Sequence, residues 1–103
     1  MTKINFAGSN KKGTLRIVGH AGFAKAGNDI VCAGISTLAN ALLMSLEEEN
    51  RYKGINLEYT LKDGLVNASW DMTPQNKAWS KMFMLGIESL SETYPEHVRI
   101  EWI

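Results

Sequence analysis

The chain has little of several things: one cysteine, two histidines and two prolines in 103 residues. One cysteine excludes an intrachain disulfide and any metal site built on a cysteine cluster, and it suits a reducing compartment. His20 and His97 are too far apart in sequence to form a His-x-x-x-His zinc pair, so neither a metal nor a cofactor is expected. Neither sign of charge is in excess, with 11 Lys and Arg against 11 Asp and Glu. A nucleic-acid binder would carry a basic surplus on one face, so no nucleic-acid partner is expected. Long hydrophobic runs are missing too; a membrane span needs about eighteen or more apolar residues, and no membrane partner is expected. The segment Met1 to Phe6 turns polar too soon for a secretory signal. Pro-rich and low-complexity stretches are also missing, and residues 1–103 read as a single domain.

What the chain does have is periodicity. Ile4 and Phe6 alternate with polar neighbours, residues 8–13 supply a turn, and Leu15, Ile17 and Gly19 alternate again. Two strands closing as an antiparallel hairpin follow from that pattern. Gly22 to Asn28 is glycine-flanked and aperiodic, which predicts a mobile loop. Asn28 or Asp29 then caps a helix whose stripe is Val31, Ile35, Leu38, Leu42 and Leu46, ending near Glu47-Glu48-Glu49-Asn50. Carboxylates there oppose the helix dipole and read as a solvated acidic end. Ile55, Leu57, Tyr59 and Leu61 alternate up to Asp63-Gly64, a two-residue hairpin signal, and Val66, Ala68 and Trp70 return. Thr73-Pro74 opens a second helix with the stripe Trp79, Met82, Phe83, Gly86, Ile87, Leu90 and Tyr94, which Pro95 stops. Val98, Ile100 and Trp102 form a last strand. The order is ββαββαβ, an α+β fold with two helices on one face of a five-stranded sheet.

Cys32 falls in the first turn of the first helix, where unpaired N–H groups and the dipole favour a thiolate. A free cysteine is more often a small core hydrophobe, and Cys32 sits at the edge of the apolar stripe. His20, in Gly19-His20-Ala21-Gly22 at a strand end, offers the base that a nucleophilic thiol needs. Asp29 is open to two roles, capping the helix through the Cys32 N–H or orienting the His20 imidazole. Ser36, one turn beyond Cys32, can donate to the thiolate or to an oxyanion, or bond back to the carbonyl four residues earlier. His97, with no nucleophile near it in sequence, reads as a surface residue and the competing base. Trp79, Met82, Phe83, Met84 and Trp102 could line a peptide groove, but their spacing favours a core. Two readings compete with an enzyme that uses the Cys32 thiolate as nucleophile: a non-catalytic peptide-binding adaptor, and a thiol redox sensor.

Taken together, Gly19-His20-Ala21-Gly22, Gly27-Asn28-Asp29-Ile30-Val31-Cys32-Ala33 and Ser36 resemble the ribosomal-processing cysteine protease (Prp) family across nearly the whole chain. The resemblance implies a cytoplasmic, homodimeric protease that trims the N-terminal extension of a large-subunit ribosomal protein, the one numbered twenty-seven. Its cut falls after an aromatic residue in a short apolar segment. The resemblance makes Cys32 the nucleophile and His20 the base, with Asp29 and Ser36 supporting; the glycine-flanked loop from Gly22 to Asn28 is expected to order over substrate. One departure is Gly34, where many relatives carry a second alanine. Glycine inside a helix costs about 1 kcal/mol relative to alanine and is expected to loosen the helix start.

Overall fold

The computed structural model describes residues 1–25 and 27–102; Ala26, within the predicted mobile loop, lies outside the described residues. The elements are β1 (Thr2–Gly8), β2 (Lys12–Val18), α1 (Ile30–Lys53), β3 (Glu58–Lys62), β4 (Leu65–Asp71), α2 (Pro74–Thr93) and β5 (Val98–Trp102). They form one five-stranded sheet in the order β3-β4-β2-β1-β5 with both helices on one face, the α+β architecture read from the sequence. Only β1 and β5 pair in parallel; the other neighbours are antiparallel.

Register follows the hydrophobic alternation. Ile4 pairs with Ile17 and Ile17 with Val66, Phe6 with Leu15 and Leu15 with Ala68, so two adjacent rows of apolar side chains make one band across the sheet on the helix side. A slip of one residue would turn each strand's apolar set towards solvent. α1 lays Val31, Ile35, Ala39, Leu42, Leu43 and Leu46 on this band, and α2 adds Phe83 and Ile87. Burying such large side chains stabilises by about 1.5–3 kcal/mol each. α1 is long and apolar enough for a membrane span by composition alone, but its apolar stripe forms the core of this sheet.

Close approach is built into two places. Gly13 faces Trp70, which is 0% exposed, and a Cβ at Gly13 would lie 2.5 Å from the indole. Gly13→Ala is therefore expected to lose about 1–3 kcal/mol through overpacking, read as a lower denaturant midpoint with an unchanged slope. Between the helices, a Cβ on Gly34 would sit 3.3 Å from both Leu90 methyls, and one on Gly86 would sit 2.9 Å from a Leu38 methyl. Gly34 thus makes room for Leu90 of α2 beside the start of α1.

Three expectations change. α1 does not stop at Glu47–Asn50 but continues to Lys53, with Gly54 as C-cap and Arg51 and Lys53 in its last turn. Glu49 is not solvated: it is 4% exposed and accepts hydrogen bonds from Thr73 Oγ1 at 2.7 Å and Asn76 Nδ2 at 2.8 Å. Its charge meets the N-terminus of α2, whose dipole favours it. β3 begins at Glu58, after Asn56 turns through φ 52°, so Ile55 lies outside the strand and is buried in the core on its own. As an edge strand that neither helix covers, β3 leaves Tyr59 42% and Leu61 54% exposed.

Candidate active site

The antiparallel register brings the end of β2, the β3–β4 turn and the start of β1 to one end of the sheet, and the parallel β1–β5 pair adds the start of β5. The N-terminus of α1 lies over that end. Between them is a cleft of about 640 Å³ lined by His20, Asp29, Cys32 and Ser36, among others. Its apolar floor comes from Ile17, Ile35, Ala39, Leu61 and Val66. Further along α1 the Tyr59 hydroxyl donates to Glu47, and this carboxylate raises the phenol above its usual pKa.

Cys32 is half-buried, the third residue of α1. Its Sγ accepts the Ala21 N–H at 3.2 Å. Its own N–H donates to Asp29 Oδ1 at 2.9 Å, and the Ala33 N–H donates to the Asp29 carbonyl at 3.0 Å. Asp29 Oδ2 accepts the N–H of Phe23 at 3.0 Å and of Ala24 at 3.4 Å. Of the two roles the sequence leaves to Asp29, the structure takes the cap, and both carboxylate oxygens bond backbone. The carboxylate nearest His20 belongs to Asp63, with Oδ1 3.8 Å from Nε2.

His20 follows Gly19, whose φ of +98° turns the chain where a Cβ would lie 2.6 Å from the Met1 carbonyl oxygen. Only glycine fits both the conformation and the space. The His20 side chain is 63% exposed and rests over Gly64 of the Asp-Gly turn. No hydrogen bond joins it to Cys32 among the described residues. Ser36 is exposed on the cleft wall and does not bond back along α1; Thr37 does so instead, to the Ala33 carbonyl at 2.8 Å.

His97 is not the free surface residue expected from sequence. It is half-buried, and its Nδ1 lies 2.9 Å from the Ala21 carbonyl oxygen. The Phe23 ring meets it edge-on at 5.5 Å and meets Tyr94 at 5.2 Å. These contacts and Asp29 anchor the first half of the Gly22–Asn28 loop, so the loop is not free along its whole length. Of the residues considered for a peptide groove, Phe83 is buried, Trp79, Met84 and Trp102 are half-buried, and Met82 is exposed; none lines the cleft. Sequence reasoning missed the Ala21 N–H, Asp63 and His97. The Asp-Gly turn was a local signal for Asp63's place, but the other two depend on contacts across the chain.

Chiefly the Cys32 N–H, followed by those of Ala24 and Phe23, holds the Asp29 carboxyl below its ordinary 3.8. A lowered value means that the ionised form is favoured by folding. This contribution is complete above the ordinary value and disappears as pH falls through the lowered one. Asp29→Asn keeps one acceptor but loses the charge and the second acceptor. We expect it to melt below the parent at about pH 7 and to converge on the parent only as pH falls through the carboxyl's lowered value. A gap independent of pH would contradict this account of the cap.

Residues 1–99 match the family model described as Cysteine protease Prp. Among solved structures, the chain is similar to the S. aureus essential ribosomal processing protease Prp in complex with a covalently linked product peptide. That match has a TM-score of 0.84 at 17% identity and covers 100% of both chains. The same S. aureus protease with a substrate peptide matches at 0.73 and 16% identity, again over 100% of both chains. SMU.848 from Streptococcus mutans matches at 0.71 and 27% identity, over 100% of this chain and 94% of that one. The two S. aureus likenesses bear on the fold, and the family model bears on the chemistry. No curated protein matches this sequence.

Proposed function

Because the chain belongs to the cysteine protease Prp family, we propose that it removes the N-terminal extension of a large-subunit ribosomal protein, the one numbered twenty-seven, with Cys32 as nucleophile and His20 as general base and acid. The observation that carries this reading is the surroundings of one sulfur. Cys32 Sγ sits in the first turn of α1, accepts the Ala21 N–H, and opens on a cleft that His20 also lines.

The thiolate attacks the scissile carbonyl and forms a tetrahedral intermediate. As this collapses, the C–N bond breaks and His20 gives a proton to the leaving amine. The remaining thioester is attacked by a water that His20 deprotonates, which releases the acid and restores the thiol. The N–H groups of Cys32 and Ala33 are engaged by Asp29, so neither is free for the developing oxyanion. The Ser36 hydroxyl, on the same cleft wall, is the donor this reading assigns to it. Asp29 is a positioning residue, fixing the helix start and the loop together. The apolar floor suits a large apolar side chain beside the cut, which supports a site after an aromatic residue.

The test is incubation of the purified protein with a peptide spanning the extension and the mature N-terminus, with products identified by mass. One cut after an aromatic residue, with many turnovers, is the expected result. Binding without turnover would favour the adaptor, and thiol oxidation without cleavage would favour the redox sensor.

A further inference from the structure

His97 is held on both sides by its backbone: its N–H donates to the Tyr94 carbonyl at 3.0 Å, and its carbonyl accepts the Thr2 N–H at 3.0 Å. Its ring is therefore a fixed feature at the start of β5. The Ala21 oxygen 2.9 Å from Nδ1 can only accept, so the proton of that bond is on Nδ1. On the other side of the same residue, the Ala21 N–H donates to Cys32 Sγ at 3.2 Å. Ala21 is 1% exposed, yet within two positions on either side stand Gly19 and Gly22, both at positive φ. Such glycines leave a segment free to swing unless something holds it. Phe23, packed edge-on against both His97 and Tyr94, continues the same clamp into the loop.

We propose that His97 is a positioning residue for Cys32: its Nδ1–H holds the Ala21 carbonyl and so keeps the Ala21 N–H aimed at the sulfur, where it stabilises the thiolate. The sequence points to His97 only as a rival base, but the structure gives its ring nitrogen a different task. The proposal rests on the reading of Cys32 as nucleophile. The ionisable groups around the thiol's cleft are Asp29 at the cap of α1, His20 at the end of β2, Lys62 at the end of β3, Asp63 beside His20, and the Met1 amino group beside Gly22; Tyr94 stands near His97. None of them is seen donating to the sulfur in place of the Ala21 N–H: the Asp29 carboxylate can only accept, and His20 rests on Gly64.

Two substitutions separate the hydrogen bond from the packing. His97→Phe keeps a ring against Phe23 but removes the donor; His97→Asn keeps a donor near the Nδ1 position and removes the ring. Alkylation of Cys32 by iodoacetamide, followed across pH, is the readout. His97→Phe is expected to react about three- to ten-fold more slowly than the parent at neutral pH, with its rate profile displaced to higher pH. His97→Asn is expected to stay within about two-fold of the parent rate, though it melts lower than the Phe variant for want of the aromatic contact. A Phe variant with the parent's pH profile, or an Asn variant as slow as the Phe variant, would overturn the proposal. Nitrogen NMR of the unmodified protein gives a check that needs no variant to fold: an unprotonated His97 Nδ1 would also overturn it. Alkylation does not depend on peptide cleavage, so failure here is distinct from failure of Cys32 as nucleophile.

Discussion

Cys32→Ala and Cys32→Ser are both expected to abolish cleavage of the extension peptide, with a fall in kcat/KM on the order of 10⁴–10⁶ and little change in melting temperature. Removing the nucleophile of a hydrolase whose parts act as a unit costs about that much, leaving only what binding and oxyanion contacts provide. The small stability effect follows from position. Cys32 is half-buried at the edge of a cleft, whereas a fully enclosed residue such as Leu46 would lose about 2–5 kcal/mol on truncation to alanine. The two variants should differ slightly. Serine still offers an acceptor to the Ala21 N–H, while alanine leaves it to water, so the Ser variant should melt closer to the parent. If the two variants unfold well below the parent, Cys32 is a core residue; if either retains cleavage, it is not the nucleophile. Peptide-cleavage assays alongside thermal melts decide between these.

His20→Ala is expected to lower kcat/KM by about 10²–10⁴, the usual worth of a general acid–base group, with the melting temperature unchanged. The imidazole is 63% exposed and rests on Gly64, so its removal uncovers almost no core. KM should move much less than kcat, because the ring acts on protons in transit and the apolar floor does the binding. A variant that binds more weakly but cleaves at the parental rate would make His20 a binding residue and reopen the choice of base. Asp63 Oδ1 lies 3.8 Å from His20 Nε2, an ion-pair distance when the ring is protonated.

Most of the fold was legible because most of its determinants are local. The Thr73 cap, the Asp63-Gly64 turn and the apolar stripes of α1 and α2 each lie within a few residues of what they specify. What escaped depends on neighbours far along the chain. Glu49 looked solvated because its partners Thr73 and Asn76 come more than twenty residues later. The space that Gly34 leaves for Leu90 escaped because Leu90 is on the other helix. The alternation from Ile55 to Leu61 looked like a half-buried strand, yet periodicity cannot say whether a helix will cover it, and every residue of β3 is left exposed at the sheet edge. At the site, His20, Asp29, Cys32 and Ser36 lie within one short window of sequence, and the structure places all four on one cleft. Asp29 could not be assigned between its two roles without knowing where the Phe23 and Ala24 amides point. The partner of His97 is 76 positions away, and no local pattern announces it.

The central claim is that the Cys32 sulfur becomes covalently joined to the substrate's acyl group. Acid-quenched mixtures of excess protein with the extension peptide, sampled within one turnover and weighed intact, test it most directly. The account predicts a transient adduct with the mass of the N-terminal cleavage fragment as a thioester, mapped to the Cys32 peptide and absent from the Cys32→Ala variant. Full-rate cleavage with no adduct at any time, or an adduct on another residue, would contradict it.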